Sequence, residues 1–222
     1  MEQTKITAKI YTSHFHRFES DIRERFLKRD AFLNQILRNE TEDLTTEIEG
    51  KRLSTAAHKY IAGELKRMGT TPVNIVVDKV IADKLNAVVK NTNMVRDAFL
   101  NYLLLCLRSS DNFLKYFDLP LDTSSSRFNA IVFPLPLSPL AAIREVNRDP
   151  FYFLRQAVSE RHGTGLYTMT LPKQYHGFSC YMSDEDVPGT EAFDEQQRLW
   201  DELEELTQRD KDAFSTAVGG EK

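Results

Sequence analysis

The sequence predicts a mainly α fold with short β segments: two strand-helix-helix units in tandem, followed by a small acidic α+β domain. Three observations carry this. "RDAFLNQIL" at 29–37 returns as "RDAFLNYLL" at 96–104, 67 positions later. Each copy is preceded by a short stretch of strict alternation between apolar and polar residues, the signature of a half-buried strand. The charge also divides, with 18 Lys+Arg against 14 Asp+Glu in residues 1–110 and 11 against 19 in residues 111–222.

The first strand is expected in "KITAKIY", where Ile6, Ala8 and Ile10 alternate with Lys5, Thr7 and Lys9. The second is expected in "PVNIVVD", where Val73, Ile75 and Val77 alternate with Pro72, Asn74 and Val76. A helix follows each, with Phe15, Phe18 and Ile22 on one face of the first and Ile81, Leu85, Val88 and Val89 on one face of the second. Asp78 stands where the second of these would be capped. The repeated nonamers then supply one more amphipathic helix apiece, through Phe32, Leu33, Ile36 and Leu37, and through Phe99, Leu100, Leu103 and Leu104.

A unit of about 40 residues with one strand and two helices buries too little apolar surface to stand alone. A lone strand also leaves its backbone groups unpaired. Two units can join their strands into an antiparallel ribbon and bury one ribbon face on four helices. The duplication supplies the missing half, either within the chain or across two chains.

Between the copies, residues 40–70 predict a connecting helix capped by Ser54, with Ala57, Tyr60, Ile61 and Leu65, and ended by Gly69. A linker is expected at 111–127, with Ser124 to Ser126 as a loose joint. The α+β domain is expected over 128–210. It begins with a strand in "FNAIVF" and has helix starts at Ser138-Pro139 and Asp149-Pro150. Further strands are expected in "GLYTMTL" and "GFSCYM". "EAFDEQQRLWDELEELTQRD" reads as an acidic amphipathic helix displaying Phe193, Leu199, Trp200, Leu203 and Leu206, which could lie on a core or in a partner's groove. Residues 211–222 are expected to be a disordered tail.

No stretch is apolar enough to cross a membrane, and the N-terminus lacks the apolar core of a secretory leader, so a cytoplasmic protein is expected. Cys106 and Cys180 are too few for a disulfide framework or a cysteine zinc site. His14 and His16, or His162, His176, Ser179 and Cys180, form no recognisable catalytic or metal set; neither an enzyme nor a cofactor or metal is expected.

The segment "TNMVRDAFLNYLL" (92–104) resembles the "TGLSRSELIREAL" pattern of ribbon-helix-helix DNA-binding proteins, and "RFLKRDAFLNQIL" (25–37) is a weaker copy. The resemblance spans about residues 4–39 and 71–108. It implies a β-ribbon in the major groove of double-stranded DNA, with Lys5, Thr7 and Lys9 from one strand and Pro72, Asn74 and Val76 from the other facing the bases. Lys suits guanine O6 and N7, Thr either partner, and Asn adenine; Pro72 offers no donor, so copy one should dominate if the two copies form one ribbon, whereas pairing across chains would leave the copy-two ribbon mainly structural.

The resemblance also implies phosphate contacts at the start of the repeated helix, from Lys28, Arg29 and Arg96. Arg29 and Arg96 could instead pair with Asp30 and Asp97, and those aspartates read best as helix caps. The expected function is that of a transcriptional repressor or plasmid accessory factor, with a homodimer possible. An antitoxin-like protein whose acidic half binds a partner protein is the alternative. An enzyme with its catalytic part in 128–206 is a weaker one.

Overall fold

The structure is a computed structural model, and it describes residues 2–109, 111–119, 138 and 149–218. The expected linker joint, the strand at "FNAIVF" and the helix expected from Pro139 lie outside the described residues. The described chain is mainly helical, with one two-stranded antiparallel sheet. It divides into two compact units, Met1–Tyr181 and Met182–Lys222.

In the first unit, β1 (Gln3–Tyr11) is followed by α1 (Thr12–Glu24), α2 (Arg29–Glu47) and α3 (Thr55–Arg67). Then come β2 (Thr70–Asp78), α4 (Lys79–Thr92), α5 (Arg96–Leu107) and the short α6 (Asp111–Tyr116). β1 and β2 pair with each other in the same chain, Thr7 opposite Asn74, Lys5 opposite Val76 and Lys9 opposite Pro72. Alternation then does the sorting: Ile6, Ala8 and Ile10 with Val73, Ile75 and Val77 are buried under the helices, while Lys5, Thr7, Lys9, Pro72 and Asn74 are exposed and Val76 is half-buried. The core continues through Phe18, Ile22, Leu33, Ile36, Leu37, Leu85, Phe99 and Leu103, the apolar positions of both copies.

Ser54 caps α3, its hydroxyl accepting from the Ala57 N–H at 3.0 Å. The helix buries Ala57, Ile61 and Leu65 and is followed by Gly69 at φ +80°, a left-handed conformation that closes a helix at little cost in glycine. Asp78 occupies the N-cap position of α4 but makes no capping bond there. Its carboxylate is bound instead by the Asn34 amide at 3.0 Å and the Arg38 guanidinium at 2.8 Å, which hold its pKa below the usual carboxylate value.

Residues 149–181 depart from the expected division of the chain. Asp149 Oδ1 accepts from the Phe151 N–H, starting α7 (Tyr152–His162), which ends at Gly163 in the left-handed conformation. Phe151, Leu154, Val158, Leu166, Tyr167, Met169, Leu171, Phe178 and Cys180 join the same core as the strands and helices of the first half. They lie in the same compact unit, Met1–Tyr181. The strands expected in "GLYTMTL" and "GFSCYM" are not formed; Lys173–Phe178 is a 3-10 helix and the flanking residues are irregular.

The reason is the lack of an open sheet edge to pair with. Backbone groups there are satisfied by side chains, the Tyr167 N–H by Glu47 at 2.7 Å and the Leu166 carbonyl by the Tyr102 hydroxyl at 2.9 Å. Gly177 is held so close to α3 that a Cβ would lie 2.6 Å from the Leu65 nitrogen, so no larger residue fits.

One buried polar cluster ties α7 to α2. Glu40 is 0% exposed and is bound by Arg155 and by the Tyr167 hydroxyl. Arg155 also meets Asp43 at 2.8 Å and Glu47 at 3.3 Å. Burial pushes the Glu40 carboxyl up to about 7 against the opposing pull of Arg155.

The second unit holds a 3-10 turn (Asp184–Asp186) and α8 (Glu191–Val218), whose first turn is capped by Thr190 Oγ1 accepting from the Phe193 N–H at 3.2 Å. The expected tail from 211 is thus helical as far as Val218. Among the described residues no helix is long and apolar enough to cross a membrane.

Candidate nucleic-acid interface

The candidate site is the exposed face of the ribbon and the turns that flank it. Two-stranded ribbons carry a structural liability, because both strands are edges with unpaired backbone groups. Here the repeated nonamer binds backbone groups along both edges. Asp97 Oδ2 accepts from the Lys9 N–H at 3.0 Å, and Asn101 accepts from the Tyr11 N–H at 2.7 Å while donating to the Lys9 carbonyl at 2.9 Å. The Arg96 guanidinium donates to the Thr7 carbonyl.

The same three residue types act again on the other edge. Asp30 accepts from the Val76 N–H at 3.3 Å, Asn34 from the Asp78 N–H at 2.8 Å, and Arg29 donates to the Asn74 carbonyl at 3.0 Å. Helix α2 of copy one therefore closes the edge of the copy-two strand, and α5 closes the edge of the copy-one strand. Pro72 falls on the outward-facing side of β2's backbone, where a missing N–H costs no ladder bond.

This changes the reading of the repeated polar residues. Asp30 and Asp97 are not helix caps; neither α2 nor α5 has a side-chain capping bond, and both carboxylates are aimed at the ribbon. Arg29 divides its donors among Asp30 at 2.7 Å, Glu19 at 3.1 Å and the Asn74 carbonyl, and Asp30 first, then Glu19, raises its pKa. Arg96 is likewise engaged with Asp97 and Thr7. Both guanidiniums lie beside the ribbon face with most of their hydrogen-bonding capacity directed inward, whereas Lys28, at the N-cap position of α2, is exposed. A sequence signal for the stitching existed: Asp and Asn four residues apart, at the same places in both copies.

On the face itself, Thr7 and Asn74 sit opposite one another at the middle of the ribbon. Their outward-facing backbone groups identify a non-hydrogen-bonded pair, in which side chains approach most closely. The Thr7 hydroxyl donates to Asn74 Oδ1 at 2.8 Å, which orients the amide and leaves its NH₂ for another partner. Lys5 and Lys9 stand on either side along the strand. Beside β2, a shallow groove of about 310 Å³ is bounded by Phe15 and His16 of α1, Arg29, and Thr71 to Asn74.

The flanking turns are unlike each other. In the α4–α5 turn Asn93, at φ +56°, donates from its amide to the Leu53 carbonyl, its own carbonyl meets His58, and Met94 is buried. In the α1–α2 turn the equivalent residues are Phe26, at φ +57° and exposed, Leu27 and Lys28, with Arg25 before them. Connector helix α3 thus covers one turn, and the other is open.

The histidines and cysteines considered from sequence do not form one site. His14 packs against Tyr11 and Phe178, and burial, then Arg108 and Arg17, pushes its pKa down to about 4. His176 meets the Tyr60 hydroxyl, and His162 the Phe117 carbonyl. Ser179, Cys106 and Cys180 are buried. Among the described residues no group of three or more His, Cys, Asp or Glu could hold a metal ion. Comparison with family models, curated proteins and solved structures finds no match to this chain.

Proposed function

We propose that this chain binds double-stranded DNA as a tandem ribbon-helix-helix protein, laying the β1–β2 ribbon in the major groove as a repressor or accessory DNA-organising factor would. The observation that carries the reading is the single-chain ribbon whose exposed face presents Lys5, Thr7, Lys9 and Asn74 in one patch. Its dimensions suit the task. Alternate residues on a strand advance by about 7 Å, so Lys5 and Lys9 lie roughly 14 Å apart, the rise of about four base pairs. A major groove about 12 Å wide admits a two-stranded ribbon.

The chemistry suits it too. Lys5 and Lys9 donate to guanine O6 and N7, while the central Thr7–Asn74 pair offers an amide donor and oxygen acceptors suited to adenine. Val76 supplies apolar contact of the kind a thymine methyl accepts. Lys28 provides a cation for the phosphates at one flank, with Arg29 and Arg96 positioned chiefly to hold the ribbon's shape. Both strands come from one chain, so one chain presents a complete ribbon, and its readout is asymmetric because the two lysines belong to β1.

Selection of the full chain on a random-sequence pool of duplexes tests this. An enriched, asymmetric site bound through the major groove is the expected outcome. Failure to enrich any duplex above the unselected pool would exclude sequence-specific binding.

A further inference from the structure

Phe26 is 96% exposed and sits at φ +57°, where an aromatic side chain gains nothing for folding. The equivalent position in copy two is Asn93, a residue that tolerates this backbone and uses its amide to bind the Leu53 carbonyl. Next to Phe26, Leu27 is also exposed. Arg23 and Lys28 flank the pair, exposed and without an acidic partner among the described residues. The α1–α2 turn is an apolar knob with a cationic rim.

Helix α8 has the opposite character. Leu199, Trp200, Leu203 and Leu206 fall within two turns on one face, each more than half exposed. Asp201, Glu202, Glu204 and Glu205 surround them. Two α8 helices placed stripe to stripe would set these carboxylates against each other, so self-pairing of the helix is disfavoured. Its natural complement is an apolar surface edged with cations.

We propose that α8 docks on the α1–α2 turn of a second copy of the chain, its Trp200 and Leu203 against Phe26 and Leu27, its carboxylates facing Arg23 and Lys28. Helix-on-surface recognition through anchors at such spacing is a common mode. The contact uses none of the exposed ribbon residues but shares Lys28 with the DNA reading, so its test is run without DNA.

Trp200 is the single tryptophan, so emission reports on the surroundings of this one position on α8. Full-length chain is followed by sedimentation velocity and tryptophan emission from about 1 to about 200 µM, where small interfaces associate. Association with a concentration-dependent blue shift is expected. Phe26→Asn, which suits the left-handed backbone, and Trp200→Ala, on an exposed helix face, should each weaken self-association roughly tenfold or more while leaving the circular-dichroism melt unchanged.

Mixing the two variants should restore association, because one retains the helix and the other the turn; the tryptophan of the Phe26→Asn chain then shifts as Trp200→Ala chain is added. A chain that stays monomeric across the range overturns the proposal, as does a shift that is independent of concentration, or a mixture no stronger than either variant.

Discussion

The two copies of the strand-helix-helix unit share the residues that close the ribbon and differ at most of the positions they show to solvent. Arg, Asp and Asn of the repeated nonamer do the same work in each, binding backbone groups on the ribbon edge opposite their own strand. The exposed positions have diverged: Lys5 corresponds to Pro72, Thr7 to Asn74, Lys9 to Val76, and Phe26 to Asn93. What the copies retain is what closes the ribbon; what separates them is where a partner would meet it. Repetition in this chain therefore marks architecture, and function is sought in the mismatches.

The largest break in the symmetry is Glu40, whose counterpart 67 positions on is Leu107. Only α2 receives Arg155. Glu40→Ala should cost about 3–5 kcal/mol by leaving the guanidinium buried without its main partner, read as a lowered denaturation midpoint. An unchanged midpoint would mean that water enters the cluster freely.

Next in size is the stitching itself. Asn101→Ala removes bonds to the Tyr11 N–H and the Lys9 carbonyl at a buried position, and should cost about 2–4 kcal/mol. Asn34→Ala, at the half-buried equivalent, should cost about 1–2 kcal/mol. If Asn34→Ala proves the more damaging of the two, the asymmetry is misassigned.

Glu40→Gln probes the same pair through pH. Burial raises the folded carboxyl from its ordinary value of 4.5 to about 7. The stabilisation from keeping it protonated is complete below the unfolded value and is lost as pH rises towards 7. Glu40→Gln should therefore flatten the dependence of melting temperature on pH in that window, and an unaltered profile would assign the dependence to other groups. Smaller again is Asn93→Phe, which places the copy-one residue in the covered turn; it should cost about 1–2 kcal/mol through the lost bond to Leu53.

Much of the first half was legible because its information is local. Period-two alternation fixes which strand face is buried, and the spacing of Phe18 and Ile22, or of Leu33, Ile36 and Leu37, fixes the helix faces. Strand pairing within the chain was not legible, since nothing local separates a partner strand in the same chain from one in another. The roles of Asp30 and Asp97 were misread because capping is the commonest use of an aspartate at a helix start, and only the fold brings a strand edge within reach.

The segment 165–182 was misread for a related reason. Its alternation, with Tyr167, Met169 and Leu171 buried, does not say whether a strand edge is there to pair with. The Glu40–Arg155 contact joins residues 115 positions apart and has no sequence signature.

The most direct measurement is the binding of the intact chain and of a Lys5→Ala, Lys9→Ala double variant to one selected duplex at salt concentrations from about 50 to about 200 mM. The reading predicts that the affinity of the intact chain falls linearly in the logarithm of salt, and that the double variant binds more weakly and discriminates less between the selected duplex and a scrambled one. Its salt slope should also be shallower, by up to about one for each lysine that meets a phosphate. Equal affinity, equal discrimination and equal slope for the two proteins would show that the ribbon face does not touch DNA.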